Sequence, residues 1–210
     1  DKHIRTTAGS IEVAAAGDVR LLSTNVANTT SAIYVAGRLA NLATGEVSAG
    51  NFKWAQHTEH GGRLSVSAGR DLLSLFPSKD KDTGVVTLKP QVLTQLTTNY
   101  FFHAGTNASE VSWWTAFDSF RQGLGSFGGG NLLVKAGNDI GDMPVVSLTN
   151  AQSVKLSSGT NELRVRGGGD VEIDAGGDIS GGLFVLGRGD GHVTAGGAIT
   201  TGASYASKSS

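Results

Sequence analysis

Cysteine is absent from this 210-residue chain, so neither a disulfide framework nor a thiolate metal site is open to it. The absence suits a protein exported unfolded through a periplasm and a cytosolic protein alike, and assigns no compartment by itself. Proline is scarce, at three residues, while glycine reaches 31 with no triplet period. That is about twice the usual glycine content of roughly 7%, yet neither collagen nor a disordered tract accounts for it, and the glycines read as corners. No window holds the eighteen or so apolar residues a spanning helix needs, so no membrane insertion is expected. The amino-terminal DKHIRTTAGS has no secretory hydrophobic stretch, so the chain reads as an internal segment. Seventeen basic and eighteen acidic side chains give a formal net charge of −1 without a basic run, which argues against nucleic acid as a partner. Ser/His/Asp signatures, glycine-rich phosphate loops and CxxC pairs are missing too, so no catalytic residue and no cofactor is assigned.

What the sequence does contain is a period. The stretch GGDVEIDAGGDISGG, Gly168 to Gly182, holds a nine-residue template that starts at Val171: Φ-x-Φ-x-A-G-x-D-Φ, with Φ apolar. IEVAAAGDV (Ile11 to Val19), LSVSAGRDL (Leu64 to Leu72) and LLVKAGNDI (Leu132 to Ile140) follow the same spacing. Looser copies start at Leu163 (LRVRGGGDV) and Gly191 (GHVTAGGAI). Each copy is a short apolar/polar alternation, a corner of small residues and a fresh apolar position, which is a strand, a turn and the start of another strand. Such a unit cannot bury its apolar face alone. Spacings of about one or two times twenty residues in the last third of the chain point to stacked repeats. The expected fold is all-β, a right-handed parallel β-helix whose inward positions include Ile11, Val13, Leu64, Val66, Leu132, Val134, Val171 and Ile173. Coils are expected over 1–76 and 131–200, followed by a polar tail or linker over 201–210.

Between them, 77–130 carries no copy and reads as a non-repetitive insertion. PSKDKDTG is a solvated charged turn, and Pro90 to Leu96 suits a helical turn with proline first. Eight of the fourteen aromatic residues fall between Tyr100 and Phe127. In NASEVSWWTAFDSFRQGLG, Asn107 and Glu110 resemble a capping box. Trp113, Phe117 and Phe120 share one helical face, which predicts a helix of about twelve residues lying on the coils. Phe117 and Phe120 are expected to pack inward, and at least one of Trp113 and Trp114 to stay partly exposed. The candidate ligand-contacting residues are Trp113, Trp114, Tyr100 and Phe102, because large rings give contact area at little entropic cost.

Four smaller constellations have a bland and a sharp reading. Asp18, Asp71, Asp139 and Asp178 would align in a column that either binds calcium or caps turn backbone; capping is preferred because stacked like charges repel. His57 and His60 lack the three or four donors of a zinc site and read as solvated loop residues. Arg188, Gly189 and Asp190 form an RGD tripeptide, a candidate receptor motif that reads as an ordinary corner. Asp170, Glu172, Asp174 and Asp178 raise a carbohydrate-active enzyme as an alternative, yet outward alternation alone explains their spacing.

The copies IEVAAAGDVRL, LSVSAGRDLLSL, LLVKAGNDIGDM and VEIDAGGDISGG resemble the repeats of the filamentous haemagglutinin family, the exoproteins of bacterial two-partner secretion. The resemblance covers most of 1–75 and 130–200. It implies a right-handed parallel β-helix, export by an outer-membrane partner transporter, and a place at the cell surface as the shaft of an adhesin or contact-dependent inhibition filament. A host-cell glycan or protein receptor is the partner it implies; a purely structural spacer is the alternative. The Asn-Pro motifs of the family's secretion domain are absent, and the insertion matches no family motif.

Overall fold

The computed structural model describes residues 2–23, 31–40, 56–91, 97–105 and 111–201. More than half of these residues are in strands, with almost no helix. A first circuit of the chain supplies β1 (Lys2–Thr6), β2 (Ile11–Ala15) and β3 (Val19–Leu22). A second supplies β4 (Ser31–Val35), a detour through β5 (Arg38–Leu39) and β6 (Thr58–Glu59), then β7 (Leu64–Ala68) and β8 (Leu72–Lys79). A long excursion follows, with β9 (Val86–Pro90), β10 (Phe101–Ala104) and β11 (Ser112–Thr115), before β12 (Gln122–Ser126), β13 (Leu132–Ala136) and β14 (Ile140–Gly141). The fourth circuit holds β15 (Pro144–Ser147), the hairpin β16 (Thr149–Lys155) and β17 (Asn161–Gly167), then β18 (Val171–Ala175) and β19 (Ile179–Ser180). The fifth is β20 (Leu183–Leu186), β21 (Gly191–Ala195) and β22 (Ile199–Thr200).

Three parallel sheets result, each taking one strand per circuit: β1-β4-β12-β15-β20, β2-β7-β13-β18-β21 and β3-β8-β14-β19-β22. The chain visits them in the same order every time. In the second sheet the template copies meet in register, Ile11 beside Leu64, Leu64 beside Leu132, Leu132 beside Val171 and Val171 beside Gly191. One apolar column fills the space between the sheets. Leu64, Val66, Leu132, Val134, Val171 and Ile173 are all at most 1% exposed, while Ile11 and Val13 at the terminal strand are only partly buried. Strands buried this way need parallel neighbours on both sides, and the repeat supplies them.

The same stacking explains the small residue at the sixth template position. A Cβ added to Gly69, Gly137, Gly176 or Gly196 would lie 2.1–2.3 Å from the carbonyl oxygen of the matching residue one circuit earlier. Only the first copy has a larger residue there, Ala16, and its strand β2 ends the sheet.

Several boundaries differ from those expected. The segment 77–130 is not one insertion: β8 runs on through Pro77 to pair with β9 as an antiparallel arm, and β12 already lies in the first sheet, so the chain is back in the stack by Gln122 and not at Gly130. The expected helix is absent. Among the described residues between 97 and 123 the only helical turns are the 3-10 turns Thr97–Asn99 and Phe117–Ser119, and Ser112–Thr115 is a strand. Asn107 and Glu110, the turn expected from Pro90 to Leu96 beyond Gln91, and the tail after Thr201 lie outside the described residues. Leu163 is not in a stacked copy. Leu163 and Val165 belong to the hairpin strand β17, which is antiparallel to β16, and are 45% and 37% exposed.

Candidate functional site

The first sheet buries Ile33, Val35, Leu124 and Val145 toward the column, so its alternate residues face outward. Those residues are Ala32 and Tyr34 on β4 and Val146 on β15, and they form a second apolar cluster with Tyr100, Phe120, Phe127 and Leu148. Gly125 keeps the floor flat, since a Cβ there would come within 2.6 Å of the Phe127 ring. Onto this floor the excursion lays its rings. Tyr34 meets Phe120 edge-on at 5.7 Å, Phe120 meets Tyr100 at 5.1 Å and Phe127 at 5.0 Å, and Phe117 stacks on Tyr34 at 6.4 Å with 19° between planes. Phe120 packs inward as expected; Phe117 is only partly buried.

Phe117 therefore keeps part of its surface for a groove of about 340 Å³ beside the cover. The floor is Tyr34 and Ala36; one wall is Arg5, Thr6 and Thr7 at the end of β1, and the other is Thr58 with Leu39 from the β5–β6 pair. The corner at Gly37 makes this geometry: its φ is +86°, and a Cβ would fall 2.5 Å from the Gly128 Cα. Arg5 donates from Nη1 to the Tyr34 hydroxyl (3.3 Å) and lies 3.5 Å from an Asp118 carboxylate oxygen. The Asp118 side chain is 98% exposed. Among the described residues, Arg5 is the single charged residue of the lining.

The expected contact residues separate. Tyr100 and Trp114 are 2% and 1% exposed, so burial makes them part of the packing and not of an accessible surface; burial also pushes the Tyr100 phenol up. Phe102 and Trp113 are half-buried. Trp113 and Trp114 do point apart, but because they are neighbours on a strand and not on a helix. That strand lies in an antiparallel side sheet, β10-β11-β16-β17. Phe102 and Trp114 pair across β10 and β11 with rings stacked at 6.3 Å, whereas the Trp113 indole N–H donates to Thr149 Oγ1 at 3.1 Å.

His57 anchors this sheet and is not solvated. It is 6% exposed, with Nε2 2.9 Å from Ser112 Oγ and 3.0 Å from the Ala151 carbonyl. Asn150 adds a second anchor by donating to the Thr58 carbonyl at 2.7 Å. His60 is exposed, with φ +53°.

The aspartates form ladders through backbone. Asp71 Oδ1 accepts from the Asp139 N–H (3.2 Å), Asp139 Oδ1 from Asp178 N–H (2.8 Å) and Asp178 Oδ1 from Ala198 N–H (2.7 Å). Each carboxylate caps the next circuit. Asp18 is further held by Arg70 Nε at 3.1 Å. A second ladder runs through the RGD corner: Asn131 Oδ1 accepts from Asp170 N–H (3.1 Å), and Asp170 Oδ1 from Asp190 N–H (3.0 Å). Arg188 donates to the Gly167 carbonyl at 2.9 Å, and Gly189 has φ +107° and no room for a Cβ beside Gly169. The tripeptide is thus built into the stack.

Of the four carboxylates raised for an enzyme, Asp170 and Asp178 sit in different ladders, and Glu172 pairs with Lys135 at 3.0 Å. A groove of about 380 Å³ does run past Asp170, Glu172, Asp190 and His192. Among the described residues, no group of three or more His, Asp or Glu is disposed to hold a metal ion, and no helix is long and apolar enough to cross a membrane.

Arg5, Tyr34, Thr58 and Phe117 were not assembled by sequence reasoning. The alternation of HIRT and AIYV marks Arg5 and Tyr34 as outward; nothing local says that chain from beyond residue 110 comes to lie over them. Comparison with protein families, with curated proteins and with solved structures returns no match for this chain.

Proposed function

We propose that this chain is a length of right-handed parallel β-helix from the shaft of a secreted bacterial surface exoprotein of the filamentous haemagglutinin type, and that it contacts a target-cell glycan or protein receptor through the structure on its flank. The helix reading is supported by the fixed order in which the chain visits three parallel sheets; the right hand follows from the general handedness of parallel crossovers. Export through an outer-membrane partner transporter and a cell-surface location belong to the same reading.

The observation that carries the recognition part is the contrast between flanks. The outward positions of the second and third sheets are mixed, small or charged for the most part but including Leu133, Leu22 and Leu73, and they hold no cluster of stacked rings among the described residues. Among the described residues it is the first sheet that is overlaid by aromatic rings and by a groove that the excursion completes. A shaft that only held a distal domain away from the cell would need no such departure from its repeat. The test is binding of the purified chain to a glycan array and to intact cells. Binding that is lost when the rings are altered supports recognition, while a chain that binds neither is a spacer. Depolymerisation of a polysaccharide by the purified chain would favour the enzyme reading instead.

A further inference from the structure

We infer that the groove between β1, the β5–β6 pair and Phe117 is a site for an acidic saccharide, a sugar ring bearing a carboxylate. The inference rests on the recognition reading above and assigns it a place and a ligand class.

The lining has the two halves that such a ligand needs. Phe117 presents a partly exposed ring held in plane by stacking on the fully buried Tyr34, and an apolar ring edge or face is what the C–H side of a pyranose packs against. Around it stand the short hydroxyl side chains of Thr6 and Thr7 with the amide of Gln56, while Thr58, buried with Oγ1 donating to the Phe127 carbonyl, backs the wall. These groups donate and accept without carrying charge, which matches sugar hydroxyls better than it matches a peptide side chain or a lipid tail.

The acid is assigned from Arg5. A guanidinium has five donors in a fork that fits a carboxylate. Here Nη1 holds the Tyr34 hydroxyl and faces Asp118, which orients the fork, while Nε and Nη2 make no hydrogen bond or ion pair among the described residues. Among the described residues, no carboxylate lines the groove itself. Asp118 stands beside Arg5, almost fully exposed, and among the described residues is the carboxylate that competes for it. An incoming carboxylate would take the free side of Arg5, and Asp118 would then oppose it as a like charge.

This arrangement makes a signed prediction. On an array of carboxylated and neutral oligosaccharides, the chain should retain carboxylated members preferentially, and more weakly as salt is raised. Arg5→Gln, at an exposed side chain, should reduce binding to those members by about tenfold and abolish the preference for acid. Asp118→Asn, which leaves packing untouched, should strengthen it. Phe117→Ala should weaken acidic and neutral members together. Preference for neutral sugars, or unchanged acid preference in both Arg5→Gln and Asp118→Asn, overturns the inference. Acid binding that survives Arg5→Gln but disappears in Trp113→Ala moves the site to the side sheet: recognition stands and this groove falls. Absence of any glycan or cell binding overturns both.

Discussion

In the parallel stack, Val66, Val134 and Ile173 lie side by side on successive strands, each backed by the next copy of the same nine residues. In the side sheet, Trp114 is equally buried, but it stacks on Phe102 of an antiparallel strand, and its own strand is held by His57 through Ser112 and by pairing with β16 from a later circuit. The stack distributes its stability over interchangeable units, whereas the side sheet concentrates it in single large or polar side chains without a substitute. Damage to the first should therefore spread to neighbouring circuits, and damage to the second should stay local.

The largest effect is expected from Ile173→Asp. An unpaired charge in the apolar column costs on the order of several kcal/mol, and the circuits on both sides lose their packing with it. Loss of β circular dichroism together with a lower Tm is the expected result; an unchanged Tm would break the comparison on the side of the stack. Next comes Trp114→Ala, at about 3–5 kcal/mol for a buried large ring, against a smaller loss for the half-buried Trp113→Ala. Hydrogen exchange should confine the Trp114→Ala damage to β10, β11, β16 and β17. Exchange spreading through β13 and β18 would show that the side sheet and the stack fold as one unit.

A finer test uses the sixth template position. Gly137→Ala should cost about 1–3 kcal/mol, because its Cβ would meet the Gly69 carbonyl oxygen at 2.3 Å, a backbone atom that cannot move aside cheaply. Ala16→Gly should shift stability by no more than about 0.5 kcal/mol, since no strand of its sheet lies beneath it. Equal effects at the two positions would refute the stacking explanation of the glycines. The smallest effect is expected at Asp142, which is 9% exposed, with φ +48°. Burial raises its carboxyl pKa, so the charged form is penalised in the fold and Asp142 lowers stability as pH rises through its ordinary and then its raised pKa. Asp142→Asn tolerates the left-handed backbone and removes the charge. The variant should melt above the parent at neutral pH, with the difference closing once both pKa values lie above the working pH.

Much of the stack could be read in advance because its determinants are local and repeated. Alternation over Leu64 to Ala68 names the inward side chains, and an Asp one residue before the next apolar position caps a turn whichever neighbour it meets. The side sheet gave the opposite result. Trp113, Phe117 and Phe120 have helical spacing, and that spacing was misleading. The strand Ser112–Thr115 is held by Phe101–Ala104 on one side and by Gln152 and Ala151 on the other, and those backbone partners override a helical pattern within fourteen residues. His57 shows the same limit: nothing near it foretells burial, because its partners Ser112 and Ala151 are 55 and 94 residues away.

The sequence by itself determined that the chain is β throughout its repeats, which side chains face the column, and that aspartates and glycines make its corners, since a period of nine-residue units contains its own contacts. Tertiary structure decided where the repeat is interrupted and which outward residues are covered. It alone placed Arg5 and Tyr34 beside Phe117, more than eighty positions later in the chain. A strand's alternation says only that a residue points outward; what lies over it depends on the path of a segment joined to it by no local rule, and that path brings the groove into being.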